Sequence, residues 1–177
     1  MKRAVILVIF CAMVCIQISG CASFPKQSDG SVTLEVDYTI GLKKAIEAGK
    51  FSYVGPQITD IRFPYQPAGY AGRRMARLKF MRFVGARSLN EITGKIEKIG
   101  YRPANIAELL ALFAKYPDGQ IRQYPIVALG SAWHEFSGEE VVPIVNMKSE
   151  EKMMGVLAFS SFNCPRCHVL IADKSCD

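Results

Sequence analysis

From residue 32 onward the chain alternates. Val32, Leu34, Val36 and Tyr38 are apolar, and Thr33, Glu35, Asp37 and Thr39 between them are polar. A period of two predicts a half-buried strand. Residues 40–48 change to helical spacing, with Gly49 as the expected C-terminal stop. Residues 51–54 and 58–63 are short apolar-rich runs that predict two further strands, and residues 64–72, rich in Pro, Gly and Tyr, predict a loop. Ala76, Leu78 and Phe80 alternate with Arg77 and Lys79 as another strand, and the alternation slips at Met81, which predicts a bulge or a change of face. Ser88 and Glu91 make an S-x-x-E capping box ahead of Leu89, Ile92, Ile96 and Ile99, and Gly100 closes that helix. Asn105 and Glu108 open a second helix in the same manner, with Ile106, Leu109, Leu110, Leu112 and Phe113 as its core face and Pro117-Asp118-Gly119 as its end. Residues 126–129, 141–145, 155–162 and 169–172 read as strands, with turns at Ser137-Gly138 and at residues 163–167. The order is strands, helix, strands, two helices, strands. It predicts a single α+β domain with a mainly antiparallel sheet and two or three helices, rather than a βαβ series. No internal repeat or low-complexity block interrupts it.

The first 31 residues follow a different pattern. Lys2 and Arg3 precede an unbroken apolar run over residues 4–16, and Gln17 to Gly20 lead by small steps to Cys21. A basic start, an apolar stretch and a small-residue approach are the layout of an export signal. Thirteen residues of helix reach about 20 Å, short of a hydrocarbon core of about 30 Å, so a permanent span is the weaker reading. Ile18-Ser19-Gly20-Cys21 resembles the bacterial lipobox, with Ile in the place where Leu is commoner. That resemblance implies a diacylglyceryl thioether on Cys21, cleavage before it, and a lipid-anchored protein outside the cytoplasm, on the cell membrane or the outer membrane. In a two-membrane cell, Ala22 after the cysteine favours the outer membrane. The expected organisation is a signal peptide at 1–20, a lipidated N-terminus and tether at 21–31, and one domain at 32–177. Residues 23–31, SFPKQSDGS, have the polar, Pro- and Gly-containing character of a tether.

Composition then narrows the partners. Residues 1–20 hold two of the 22 basic residues and none of the 16 acidic ones, so their removal leaves a formal charge of about +4. A balance this mild favours anionic surfaces only weakly, and an exported chain has no expected nucleic-acid partner. Of six cysteines, Cys11 and Cys15 leave with the signal and Cys21 is the lipidation site. Cys164, Cys167 and Cys176 remain, in a compartment that permits disulfides. Three is odd, so one bond leaves one free thiol.

Residues 101–133 carry Arg102-Pro103-Ala104, Glu108-Leu109-Leu110-Ala111-Leu112, Tyr116-Pro117, the run from Pro125 to Ser131, and Trp133. This stretch resembles a segment shared by small uncharacterised bacterial exported proteins, with a weaker echo at residues 42–54. The resemblance implies a common structural module and brings no activity. Arg102-Pro103 ahead of a helix with the Glu108-Leu109 pair is also faintly similar to bacterial C-type-lectin-like domains, where an Arg-x-Pro turn leads into a helix beginning with a Glu-Leu pair, as a fold analogy only.

The strongest candidate chemistry is Cys164-Pro165-Arg166-Cys167-His168. C-x-x-C-H is the attachment pattern of haem c: two thiols bond the vinyl groups and the His reaches the iron. A distal ligand would come from His134, Met147, Met153 or Met154. The motif lies between β-like runs, whereas haem c motifs usually lead into helix. The same cysteines make half of a zinc knuckle, to which His168 and Cys176 would add ligands. A thioredoxin-like dithiol needs a helix and most of a fold after it, which the chain lacks. The plain alternative is a structural disulfide or free thiols at a hairpin tip, with Cys176 able to pair with either partner.

Other patterns fail or are weaker. His134-Glu135 does not continue to H-E-x-x-H, because position 138 is Gly, and Gly130-Ser131-Ala132 does not make G-x-S-x-G. No catalytic residue is named. Arg73, Arg74, Arg77, Lys79, Arg82 and Arg87 fall in a stretch without an acidic residue, and Arg77 and Lys79 share one strand face. That stretch is a candidate contact for anionic envelope surfaces, or an ordinary solvated sheet face. Trp133, the sole tryptophan, is a candidate for stacking on a glycan, or a core or rim residue. The sequence therefore predicts a lipid-anchored, non-enzymatic binding or structural module of the cell envelope with no cofactor. The alternatives are an electron-transfer lipoprotein with one haem c and a small zinc-binding C-terminal knuckle.

Overall fold

The computed structural model describes residues 30–83, 88–116, 121, 124–148, 151–161 and 166–176. Cys21 and the anchor segment, Cys164, Arg87 and the Pro117-Asp118-Gly119 helix end lie outside those residues. The strands are β1 Val32–Asp37, β2 Tyr53–Val54, β3 Arg73–Met81, β4 Tyr101–Pro103, β5 Ile126–Val127, β6 Trp133–His134, β7 Glu140–Lys148, β8 Glu151–Ala158 and β9 His168–Asp173. The helices are α1 Gly41–Gly49, α2 Leu89–Lys98 and α3 Ile106–Lys115. All nine strands join one sheet in the order β1-β3-β9-β5-β7-β8-β2, with β4 also on β9 and β6 also on β7. The pairings β2–β8 and β5–β9 are parallel and the others antiparallel. The α+β class and the single domain are thus as the pattern predicted.

β9 explains the architecture. Its apolar run Val169-Leu170-Ile171-Ala172 has no polar alternate because both faces are covered. Leu170 and Ala172 join the larger core, built with α1 and α3. Val169 and Ile171 join a smaller one, where Ile92 and Ile96 of α2 meet Val127, Leu129 and Val142. The sheet therefore carries α1 and α3 on one face and α2 on the other.

Several local expectations are corrected. Residues 58–63 form turns, not a strand. Phe63 N–H donates to Thr59 O at 2.8 Å and Arg62 N–H to the Thr59 hydroxyl at 3.4 Å, so local bonding wins over a ladder. There is no bulge at Met81: β3 stays in register with β9 from Leu78↔Ala172 to Met81↔Val169. Phe80 and Met81 are both apolar because each faces a different core. Gly49 is the last residue of α1, and the left-handed stop is Lys50, φ 51°. Gly49 is needed for space, since a Cβ there would lie 2.2 Å from the Phe51 ring. The apolar run 126–129 is strand only over β5, after which Leu129–Ser131 forms a 3-10 turn. Gly130 is pressed on the chain, where a Cβ would sit 2.7 Å from Pro103 O. β8 begins at Glu151 rather than at Gly155 and ends at Ala158.

Candidate functional site

The stretch 101–133 is built as a unit around the start of α3. Asn105 Oδ1 accepts from Glu108 N–H at 3.0 Å, and Glu108 Oε2 accepts from Asn105 N–H at 2.8 Å, the reciprocal capping box predicted from sequence. Ser131 Oγ accepts from Ile106 N–H at 2.9 Å, so the 3-10 turn satisfies a third donor of the helix terminus. The Glu108 carboxylate is fully buried and takes two more partners. Arg102 donates to both its oxygens, Nη2 to Oε1 at 2.7 Å and Nη1 to Oε2 at 3.0 Å, and the Tyr38 hydroxyl donates at 3.3 Å. This bidentate pairing matches the planar guanidinium to the carboxylate. Tyr38 has its phenol pKa raised, chiefly by burial and then by the Glu108 charge.

The same network reaches the 64–72 loop. Tyr70 lies between two guanidinium groups, Arg74 at 5.1 Å and Arg102 at 5.2 Å from its ring centroid, with the Tyr38 ring at 5.1 Å. Arg74 also donates to Gly69 O at 3.0 Å. Sequence reading singled out Arg74 as a surface contact and Glu108 only as a cap. The signal for the joint network was the pairing of Arg102 with a Glu six residues later, at a helix start whose other side chains are apolar.

The predicted basic strand divides. Arg74 turns to the α1–α3 face, while Arg73, Arg77 and Lys79 alternate onto the face that α2 leaves open. Each already has a partner there. Arg73 pairs with Asp37 at 3.0 Å and Glu35 at 3.6 Å. Arg77 donates to Ser31 Oγ at 3.1 Å and meets Asp173 at 4.0 Å, and Lys79 lies 5.7 Å from the Tyr101 ring centroid. Three cations thus face three carboxylates, and the face is a mixed-charge ladder. The Asp37 carboxyl is held below its ordinary pKa, first by the Thr39 side-chain and backbone hydrogen bonds and to a lesser degree by Arg73.

Trp133 is half-buried on β6 and packs on the larger core, with β5 and β9 between it and β3, so it does not join the basic residues. Beside it, His134 is exposed and meets Glu140 at 3.0 Å. Met154 is buried in the larger core and Met147 packs against it.

At the C-terminus, Cys167 is buried and disulfide-bonded, its partner lying outside the described residues. His168 starts β9, its Nδ1 3.2 Å from Arg166 O and its ring 4.3 Å from that of Tyr124. Cys176 is a free cysteine in a 3-10 turn, Lys174–Cys176, beyond the other end of β9. Six extended residues separate it from Cys167, about 20 Å of strand, against the ~7 Å limit between Cα atoms of a disulfide. The fold therefore keeps Cys176 away from the Cys167–His168 pair. Among the described residues no group of three or more His, Cys, Asp and Glu side chains forms a metal site.

A cleft of about 390 Å³ opens beside β1, lined by Glu35, Asp37, Ile40, Ala45, Ala48, Tyr65, Leu110, Ala111, Ala114 and Lys115. It was not legible from sequence, because its walls come from four separate segments. Burial, then the Asp37 charge, pushes the Tyr65 phenol up to about 12.

Comparison with known proteins adds no relative: no protein-family model, no curated protein and no solved structure matches this chain.

Proposed function

We propose that this protein is a lipid-anchored, non-enzymatic binding or structural module of the bacterial cell envelope. The observation that carries the reading is Ile18-Ser19-Gly20-Cys21 at the end of a basic-then-apolar segment, followed by a polar tether and one domain. Two features of the domain support it. Its buried charged groups, Glu108 with its partner Arg102 and Lys152 on Gly49 O, join elements and are not among the residues lining the cleft. The disulfide on Cys167 fits an oxidising compartment. Several acyl chains anchor firmly where one chain is marginal. The test is membrane partition of the full chain. Wild type sediments with membranes and takes up labelled fatty acid, and Cys21→Ala appears in the soluble extracytoplasmic fraction. Unchanged partition of Cys21→Ala sinks the reading. In a haem c-competent host, a Soret band that survives denaturation and is lost in Cys164→Ser would instead establish the electron-transfer alternative.

A further inference from the structure

We propose that the cleft beside β1 binds a short extended peptide carrying a cationic side chain. Among the described residues β1 is an edge strand, with β3 as its sole neighbour in the sheet order. In an antiparallel strand the N–H and C=O of one residue point the same way. Tyr38 N–H donates to Gly72 O, which turns the even-numbered residues of the strand toward β3. The odd-numbered ones face outward, and two of their carbonyls are capped: Lys115 Nζ donates to Thr33 O at 3.0 Å and the Tyr65 hydroxyl to Asp37 O at 3.1 Å. Between these caps lies Glu35, whose backbone N–H and C=O have no partner among the described residues.

Capping both ends and leaving the middle open produces a window, not a general aggregation edge. Thr33 and Asp37 stand about 13 Å apart along the strand with three residues between them, which suits a peptide of about three residues. Such a segment adds as a strand, with main-chain bonds to Glu35 for affinity and a side-chain pocket for selectivity. The pocket is at hand: Ala45, Ala48, Ala111 and Ala114 leave the α1–α3 wall low, and Ile40 and Leu110 make it apolar. At about 390 Å³ it falls within the ~300–1,000 Å³ of ligand sites. Charge selects the occupant. Glu35 and Asp37 reach the cleft through their outward-facing backbone, while their carboxylates lie on the α2 side of the strand, where both meet Arg73 and Glu35 stays 55% exposed. On the peptide, a cation set opposite Glu35 on that side is complementary and an anion is not, and the flanking side chains turn to the apolar cleft.

This inference rests on the reading of the domain as a binding module and is independent of the anchor. The probe is acetyl-Val-Lys-Val-amide, titrated into full-length protein in detergent by calorimetry and followed at the backbone amides. Saturable binding is expected, with the Glu35 and Ala111 amides perturbed. Glu35→Lys and Ala111→Phe each weaken it by at least about tenfold with thermal unfolding unchanged, and so does N-methylation of the probe's lysine amide. Cys21→Ala protein binds as wild type does, so loss of the anchor reading leaves this one standing. The proposal is overturned by no saturable binding, or by binding indifferent to Glu35→Lys and to N-methylation. It is equally overturned if the Glu35 amide is protected from exchange without peptide and loses protection when residues 22–29 are replaced by a Gly/Ser linker. In that case the chain's own tether fills the window.

Discussion

Two arginine–carboxylate pairs lie on opposite faces of one sheet and differ in nearly everything but chemistry. Arg102 and Glu108 meet at the first turn of α3, with side chains 16% and 0% exposed, and the carboxylate also accepts from the Tyr38 hydroxyl and the Asn105 amide. Arg73 and Asp37 sit on the open face, where the arginine is 69% exposed. Removing one member of a buried pair strands a charge in low dielectric, whereas an exposed pair trades its attraction against water and side-chain entropy. The first pair decides how α3, β4 and the 64–72 loop meet. The second neutralises a face that would otherwise be a basic strand.

The largest effect expected from this contrast is at Glu108. Glu108→Ala leaves Arg102 half-buried without its partner, the Tyr38 hydroxyl without its acceptor and the Asn105 amide uncapped. It should cost about 3–5 kcal/mol of unfolding free energy, measured by urea titration. A cost near that of an exposed pair would show that water reaches Arg102 freely and would erase the contrast.

A second, smaller effect sharpens it through pH. Tyr38 and Tyr65 have raised folded-state pKa values, Tyr65 near 12 against 10.0 ordinarily, so above pH 10 the unfolded chain releases protons that the folded chain keeps. The stability they contribute is present below pH 10 and falls as pH rises from there toward the folded values. Urea midpoints between pH 9 and 11 should show the fall, with a shallower slope in Tyr65→Phe. Equal slopes in the two proteins would mean that Tyr65 is not buried as described. The smallest effect belongs to Arg73→Ala, at about 0–1 kcal/mol and shrinking further in high salt. A larger, salt-insensitive cost would make the open face a structural network rather than a solvated ladder.

Legibility followed the same division between local and distant causes. The alternation of β1, the Ser88 and Asn105 caps and the apolar run of β9 were readable because each is fixed within a few residues. β4 was missed: three residues between two helices carry no period, and Tyr101–Pro103 is strand only because β9 lies beside it. The charged start of β8 was missed for a related reason. Lys152 is buried between Phe51 and Phe113, its amine on Gly49 O at the end of α1, in a setting that no nearby residue announces. The basic strand was legible as composition and misleading as a surface, since the carboxylates opposite it come from β1 and β9.

The sequence alone determined the elements whose information is local: where helices start, which strands bury one face or two, and the anchor motif expected at Cys21. Only the tertiary structure decided what those elements do to one another. It paired the cations of β3 with distant carboxylates, placed β9 between Cys167 and Cys176, and, among the described residues, left Glu35 open on an edge capped from two other segments. The reason is physical: hydrogen bonding and side-chain period act over a few residues, while charge neutralisation, thiol separation and a free strand edge depend on which distant segments the sheet brings together.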